Sequence, residues 1–385
     1  PGAIAPDFRF YYDCLMGPNA RSVLQALKRM DGLPEINTIA VGHGPLLRHH
    51  LSHWISDYRE WSSQRSKGDS YAAVCYLSQY GFSDRLSQAI AHGIGKADAQ
   101  VQLVDLRATD PQELTALVGE AKAVVVPTWP TEPDGDLQAS IGTLLAALQP
   151  KQLVGVYDAF GGNDEPIDAV ADQLRNQGVK PAFEPLRIRQ LPQGGDYQRC
   201  EESGTDLGQI LMRKKSIEAL RSIDANLDKA LGRISGGLYI VTASQGDGDA
   251  RRSGAMVASW VSQASFSPPG LSVAVAKDRA IEALMQVGDR FVINVLRQDR
   301  YKPLMQHFLK RFPPGADRFE GVNVLHGAAE GGPVLTDALA YLSCQVEQRM
   351  EGPDHWIIYA LVEQGNVADL DGRTAVHHRK TGNHY

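Results

Sequence analysis

A short polar loop between an apolar run and an amphipathic helix is the first stretch whose residue types can do chemistry. The apolar run ends at Leu77, and apolar residues recur at helical spacing from Leu86 to Gly93. Such a loop can leave the amides of residues 79–83 unpaired at the positive end of a helix, where the hydroxyls of Ser78 and Ser83 could join them around a phosphate. Ser83 is explained as well by ordinary helix N-capping, so the loop needs support from elsewhere. The predicted contacts are Ser78, Gln79, Tyr80, Gly81, Phe82 and Ser83.

Two further loops follow buried strand patterns and support a ligand at the same place. AVVVP leads into TWPTEPDGD, and LVGVYDAF leads into GGNDEP. Ligands of a parallel sheet bind beyond the carboxyl ends of its strands, so these loops should converge on the first one. Trp129 then favours a phosphate-bearing aromatic ligand, although an ordinary surface aromatic is an equal alternative. The predicted contacts here are Pro127, Thr128, Trp129, Phe160, Gly161 and Gly162.

A second concentration of polar side chains lies in strand-like segments nearer the C-terminus. About half of such positions would face solvent in any strand, which is the plain alternative for each residue alone. The set comprises Ser259, Ser262, Gln263, Ser265, Lys277, Asp278 and Arg279.

Three histidines, His49, His50 and His53, are close enough in sequence to suggest a metal site. Their spacing leaves at most His49 and His53 on one helical face, without a carboxylate partner nearby. A solvated helix face is therefore the favoured interpretation.

The elements that must position these residues fall into an α/β part and a β part. Residues 1–67 predict one αβ unit. It has a helix over 20–30, a strand within 36–47 that ends in a Gly-rich turn, and a helix that carries the histidines to Trp61. Strands and helices then alternate over 70–215, which predicts a doubly wound parallel sheet of five βα repeats, the last strand reading AFEPLRIR and the last helix spanning Asp206 to Lys215. A linker helix is expected over 216–235, and a mostly antiparallel barrel over 236–385.

Composition excludes several classes of protein. The chain has 385 residues and a net charge of −6, with charges of both signs interspersed, so neither a nucleic-acid groove nor a membrane surface is indicated. Its four cysteines form no CxxC pair and predict reduced thiols in a cytoplasmic protein. No apolar run approaches the ~20 residues needed to cross a bilayer. The start lacks an initiator Met, which suggests a fragment or a processed product.

With these motifs in hand, the chain resembles the C-terminal two-thirds of a flavodiiron protein of the long type found in oxygenic phototrophs, the diflavin flavoproteins. The resemblance implies a short remnant of a metallo-β-lactamase-like domain, a flavodoxin-like domain and a flavin-reductase-like split β-barrel. The segments that carry it are RFYYDCLMGPNARSVLQAL, VGHGPLL, SQYGFS, PTWP, DAFGG and SGAMVASWVSQASFSPPGLSVAVAKDRA.

The resemblance also implies roles for single residues. Lys277 and Arg279 would hold the FMN phosphate, and His355 in GPDHW would face NAD(P)H, the alternative being a strand-edge histidine paired with Asp354. His43 resembles a lone remaining iron ligand, and no diiron centre is expected because the upstream ligand motif is absent. Gly162-Asn163-Asp164 replaces an expected aromatic, so FMN should bind the flavodoxin-like domain more weakly. The residues expected to line FMN in the barrel are Ser259, Trp260, Gln263, Ala264, Ser265 and Phe266.

The implied function is electron transfer from NAD(P)H through FMN toward oxygen, which the intact protein would reduce to water in photoprotective electron disposal. This chain would supply the reduction of the flavin by NAD(P)H and the flavin relay, in a homo- or hetero-oligomer with a related subunit. Two alternatives remain open, a stand-alone NAD(P)H:FMN reductase and a catalytically silent subunit.

Overall fold

A computed structural model describes residues 5–17, 20–42, 44–66, 71–160, 167–188, 191–325 and 327–382. The chain divides into two compact units. The first comprises Pro1–Pro192 and Ser203–Met212, and the second comprises Gln193–Glu202 and Arg213–Tyr385.

The first segment of the chain is helical. Tyr12 is fully buried, and its hydroxyl lies 2.9 Å from Ser62 Oγ. The strand predicted within 36–47 is wrong, because the described residues of this range form one antiparallel bridge, between Ile39 and Leu47, and no strand. Pro45 lacks an amide to donate, and Gly44 has a φ of +123° that bends the chain. The elements are α1 (Ala5–Tyr11), a π-helical turn (Tyr12–Met16), α2 (Ala20–Met30) and α3 (Leu51–Ser66).

The histidines of this segment differ from the expectation in one respect. His49 and His50 precede α3, and His53 Nε2 lies 3.5 Å from Asp57 Oδ2, so a carboxylate partner is present after all. The i, i+4 spacing on a helix accounts for this contact. Within the described ranges, no group of three or more His, Cys, Asp and Glu side chains could hold a metal ion. His43 lies outside the described residues.

A five-stranded parallel sheet with strand order β2-β1-β3-β4-β5 forms the centre of the first unit. Its interior strands are apolar on both faces because helices cover both. This is the flavodoxin-like order, and it confirms the predicted doubly wound sheet. The strands are β1 (Tyr71–Tyr76), β2 (Gln100–Asp105), β3 (Ala123–Pro127), β4 (Leu153–Tyr157) and β5 (Lys180–Pro181), and the helices between them are α4 (Ser83–Lys96), α5 (Pro111–Glu120), α6 (Gly135–Ala147) and α7 (Ile167–Arg175).

The fifth repeat differs from the prediction. The strand ends at Pro181, before the segment AFEPLRIR. Within the described part of that segment, the Ala182 amide donates to Val154 O at 2.9 Å, and Leu186 pairs with Tyr157 in a single bridge. Pro185 has no amide to donate. Phe183 packs over the sheet instead, so close to Gly155 that a Cβ there would lie 2.3 Å from the Phe183 ring.

The two helices near residue 215 have different bounds from the two helices predicted there. The helix expected over Asp206 to Lys215 is the middle of α8 (Gly194–Arg221), and the linker helix expected over 216–235 begins as the end of α8 and resumes as α9 (Ala225–Leu231). The side chain of Asp224 caps α9 by accepting from the amides of Asn226 and Leu227, both at 3.0 Å.

The second unit is built on a seven-stranded antiparallel sheet of order β8-β7-β11-β14-β15-β10-β9. This confirms the antiparallel architecture of the flavin-reductase-like split barrel, with β8 and β9 at the edges. The strands are β6 (Gly236–Gly237), β7 (Tyr239–Gln245), β8 (Arg252–Ala258), β9 (Val261–Phe266), β10 (Pro269–Ala276), β11 (Arg290–Val295), β12 (Val324–Leu325), β13 (Val334–Leu335), β14 (Ala340–Glu351), β15 (His355–Val367) and β16 (Val376–His377), with 3-10 helices Gly248–Ala250 and Ala280–Leu284 and α10 (Tyr301–Leu309).

The cysteine side chains that the structure describes are buried and unpaired thiols. Burial raises the pKa of Cys75, Cys200 and Cys344 to about 12, so these thiols stay protonated near neutral pH. None of the helices in the described ranges has the length and apolar character required to cross a membrane.

Candidate functional site

The loop after β1 is pressed against the loop after β4. Gly81 has a φ of +54°, and a Cβ there would lie 2.6 Å from the Ala159 carbonyl oxygen. The Phe82 amide donates to that same oxygen at 2.8 Å. Only glycine fits this close approach in the left-handed region.

The amides of this loop are largely used inside the protein. Besides Phe82, Tyr80 donates its amide to Leu77 O at 3.3 Å, and Ser83 donates to Tyr80 O at 3.2 Å. The expectation that the amides of residues 79–83 stay unpaired is therefore wrong for these three residues. A phosphate needs amides that point outward.

Ser83 takes part in the core rather than in a cap. It lies in the first turn of α4 after the N-cap residue Phe82, so the alternative that Ser83 is the N-cap is wrong. Its hydroxyl is fully buried, accepts from the Leu77 amide at 2.9 Å and lies 3.1 Å from the Tyr157 hydroxyl. These bonds connect β1, α4 and β4.

The charge beside the loop is negative. The Ser78 amide donates to Asp105 Oδ1 at 3.2 Å, and the Arg107 amide donates to the same oxygen at 3.0 Å. A carboxylate next to the loop disfavours an anion. These bonds leave fewer amides of the loop for a phosphate, and FMN at this place stays a prediction.

The other residues predicted at this edge have mixed surroundings. Pro127 and Thr128 are buried, and Thr128 Oγ1 accepts from the Ala159 amide at 2.8 Å. Trp129 packs partly buried against the core. Phe160 is 45% exposed, and its ring centroid lies 5.5 Å from that of Tyr80. Gly161 and Gly162 lie outside the described residues.

The turn between β8 and β9 holds a buried polar group of a different kind. Ser259 is 4% exposed, and its Oγ has no hydrogen-bond partner among the described residues. Gly236 makes room for this turn, since a Cβ at Gly236 would lie 2.2 Å from the Ser259 carbonyl oxygen. A buried hydroxyl without a partner costs roughly 1–3 kcal/mol, which a ligand can recover. A polar cofactor such as a flavin at this turn stays a prediction, which the hydroxyl without a described partner supports.

Next to Ser259, the structure brings two predicted residues together. The ring centroid of Trp260 lies 5.1 Å from that of His355. His355 begins β15 opposite Ala276, the last residue of β10. Its Nδ1 lies 3.0 Å from Asp354 Oδ1. The pairing expected of a strand-edge histidine is therefore present. Such a pairing also orients an imidazole, so a catalytic role of His355 stays a prediction.

The two predicted phosphate cations follow β10 directly. Lys277 Nζ lies 2.7 Å from Glu351 Oε1 and 5.7 Å from the ring centroid of Trp356. Arg279 is exposed and precedes the 3-10 helix Ala280–Leu284. Lys277 is thus paired with Glu351, and the phosphate roles of Lys277 and Arg279 stay predictions.

The remaining predicted residues lie along the edge strand β9. Ser265 Oγ lies 3.0 Å from the Tyr359 hydroxyl, and Phe266 is 90% exposed. Gln263 and Ala264 are exposed on the same strand. At about 3.3 Å per residue, Phe266 at the end of β9 lies roughly 20 Å along the strand from Trp260. The cofactor roles of Gln263, Ala264, Ser265 and Phe266 stay predictions.

One residue beside Trp260 was not predicted from the sequence. Arg379 places its Cζ 5.2 Å from the ring centroid of Trp260. Nothing in a single sequence pairs an arginine of the C-terminal segment with a tryptophan of a distant turn.

Comparison with known proteins shows the family to which the chain belongs. The model of the flavin reductase like domain matches residues 231–383. Diflavin flavoprotein A 1 of Synechocystis sp. strain PCC 6803 is 56% identical over 384 residues, which cover 100% of this chain and 66% of that relative. The chain belongs to the diflavin flavoprotein family. It spans about two thirds of the length of the curated relatives that it matches.

Two more comparisons found similar proteins. Putative diflavin flavoprotein A 3 of Nostoc sp. strain PCC 7120 is 55% identical, with 99% of this chain and 66% of that relative covered. The crystal structure of a flavodoxin-like domain from a Synechococcus sp. protein is 49% identical and matches with a TM-score of 0.36, covering 37% of this chain and 99% of the other. As a diflavin flavoprotein, the chain is a flavoprotein oxidoreductase that works by flavin-based electron transfer.

Proposed function

We propose that this chain transfers electrons from NAD(P)H to FMN in its reductase-like domain. The observation that carries the proposal is the buried Ser259 hydroxyl, which has no partner in the described part of the chain and precedes Trp260, whose ring contacts that of His355. Ser259, Trp260 and Arg279 would hold FMN, with His355 on the side of NAD(P)H. The flavin supplies the hydride chemistry when bound, and the protein supplies position and charge.

Each of these residues would have its own role in binding the flavin and the nicotinamide. The Ser259 hydroxyl would bond a polar atom of the flavin, and the Arg279 guanidinium would pair with its phosphate. Asp354 holds Nδ1 of His355, which fixes the orientation of the imidazole. Trp260 lies against that imidazole and shields it from water. Together these contacts would hold the dihydronicotinamide in a reactive orientation.

In a protein of the relatives' full length, electrons would continue to oxygen and reduce it to water at a diiron centre, in a homo- or hetero-oligomer. This extension is proposed from the family resemblance alone. For the present chain, the internally bonded loop at residues 78–83 favours the alternative of an NAD(P)H:FMN reductase over a complete relay.

The test is anaerobic stopped-flow reduction of the FMN-loaded full chain by NADH and by NADPH, together with flavin content after purification. One flavin per chain and rapid bleaching of its absorbance are expected. A chain that neither retains FMN nor is reduced would contradict the proposal and favour the silent subunit. Two flavins per chain would instead support the relay.

A further inference from the structure

The C-terminal segment folds back and holds a guanidinium in a defined place. Arg379 donates from Nη1 to Gly382 O at 3.0 Å, and from Nη2 to Leu231 O at 3.3 Å and Ile234 O at 3.4 Å. The Gly382 amide donates to Asp228 O at 2.7 Å. The fork of Arg379 therefore joins the carbonyl end of α9 to the C-terminal turn.

The same guanidinium contacts the predicted flavin site. Its Cζ lies 5.2 Å from the Trp260 ring centroid, a distance typical of cation–π contact. Trp260 is 38% exposed, so its indole has open space on one side. The ring contacts both the His355 imidazole and the Arg379 guanidinium. A planar fork held by backbone carbonyls is a rigid support for such a ring.

We propose that Arg379 is a positioning residue of the reductase-like site, which fixes the Trp260 indole against His355. The proposal rests on the proposed function, because a fixed indole matters for catalysis only if NAD(P)H reacts there. The competing explanation is that Arg379 only satisfies the last carbonyls of α9, as basic residues near helix ends do.

The test compares Arg379→Gln, Arg379→Lys and the matched control Arg233→Gln in the full chain. Arg233 is an exposed arginine at the same end of α9. The first readout is acrylamide quenching of Trp260 in flavin-free protein, obtained by subtracting the signal of Trp260→Phe variants. Because the indole loses its support, Arg379→Gln should raise the quenching constant by about twofold, with Arg379→Lys intermediate and Arg233→Gln unchanged.

The second readout is the rate of flavin reduction at matched flavin occupancy. Arg379→Gln should slow reduction by about three- to tenfold in the wild-type background, the range expected for a cation–π contact. It should have no further effect in a Trp260→Leu background, because Arg379 acts through that ring.

Equal slowing in both backgrounds, or unchanged quenching in a variant that folds normally, would overturn the proposal. If NAD(P)H reduces no variant, including wild type, the proposed function fails and the positioning role fails with it, even where quenching shows the contact. A fall in melting temperature with normal quenching and rate would establish the helix-end role instead. Arg379→Lys keeps a charge at the helix end, so it serves if Arg379→Gln does not fold.

Discussion

The two regions predicted to bind flavin differ in the hydrogen bonding of their buried serines. Ser83 in the flavodoxin-like domain and Ser259 in the reductase-like domain are both buried. The hydroxyl of Ser83 accepts from the Leu77 amide and contacts Tyr157, whereas that of Ser259 has no partner among the described residues. Burial without a partner is unfavourable for a polar group, so the second serine is the better indicator of a ligand.

The charges around the two regions differ in the same sense. Asp105 accepts from the loop amide at Ser78, which places a carboxylate beside the predicted phosphate loop. Arg279 follows β10 in the reductase-like domain, where a cation suits a phosphate. The comparison predicts that the reductase-like site binds FMN more tightly than the flavodoxin-like one.

The largest effect is expected from Arg279→Ala. Loss of a charge-assisted bond to the phosphate should weaken FMN binding by about ten- to a hundredfold, or ~1.5–3 kcal/mol. Equilibrium titration of the full chain with FMN, followed by fluorescence, measures this. Arg300→Ala is the control, because Arg300 is an exposed arginine of the same domain that pairs with Asp299. A change below twofold for Arg279→Ala would remove this residue from the site.

Gly81→Ala tests the rigidity of the first region. An added Cβ would meet the Ala159 carbonyl oxygen at 2.6 Å in a backbone that disfavours alanine, so the free energy of unfolding should fall by about 1–3 kcal/mol. Chemical denaturation measures it. Gly95→Ala in α4 has nothing within 4 Å of its added Cβ and should be neutral or slightly stabilising. Equal stabilities of both variants would mean that the loop is not fixed as described.

Several features of the fold follow from sequence pattern, and the exceptions have physical causes. Apolar runs at strand spacing place β1 to β4 correctly, because buried strands leave a strong signal. The fifth strand is misplaced because Phe183 packs over Gly155 rather than extending the sheet. The contact of Arg379 with Trp260 depends on the folded path of the C-terminal segment, which no local pattern encodes.

The candidate site was also predicted only in part from the sequence. The resemblance names Ser259, Trp260 and His355, and the structure brings Trp260 and His355 into contact. That Lys277 is paired with Glu351 could not be read from the sequence, since the partner belongs to a different strand. The internal bonding of the loop at residues 78–83 was missed because sequence shows which amides exist and not where they point.

His355→Ala sharpens the comparison within the second region. Removal of an imidazole on the NAD(P)H side should slow flavin reduction by about tenfold, or ~1.4 kcal/mol of barrier, and leave FMN affinity unchanged. Stopped-flow reduction at matched flavin occupancy measures it. Asp354→Asn, which keeps the shape of the His355 partner, should have a smaller effect. Reduction at the wild-type rate at every NAD(P)H concentration would make His355 structural.

The most direct test of the central claim is the FMN dissociation constant of Ser83→Ala and Ser259→Ala, measured side by side in the full chain. Ser259→Ala should weaken FMN binding by about two- to tenfold, or ~0.5–1.5 kcal/mol, without loss of stability. Ser83→Ala should leave the dissociation constant unchanged, while unfolding becomes easier because the Leu77 amide loses its acceptor. Weaker FMN binding by Ser83→Ala together with unchanged binding by Ser259→Ala would contradict the account.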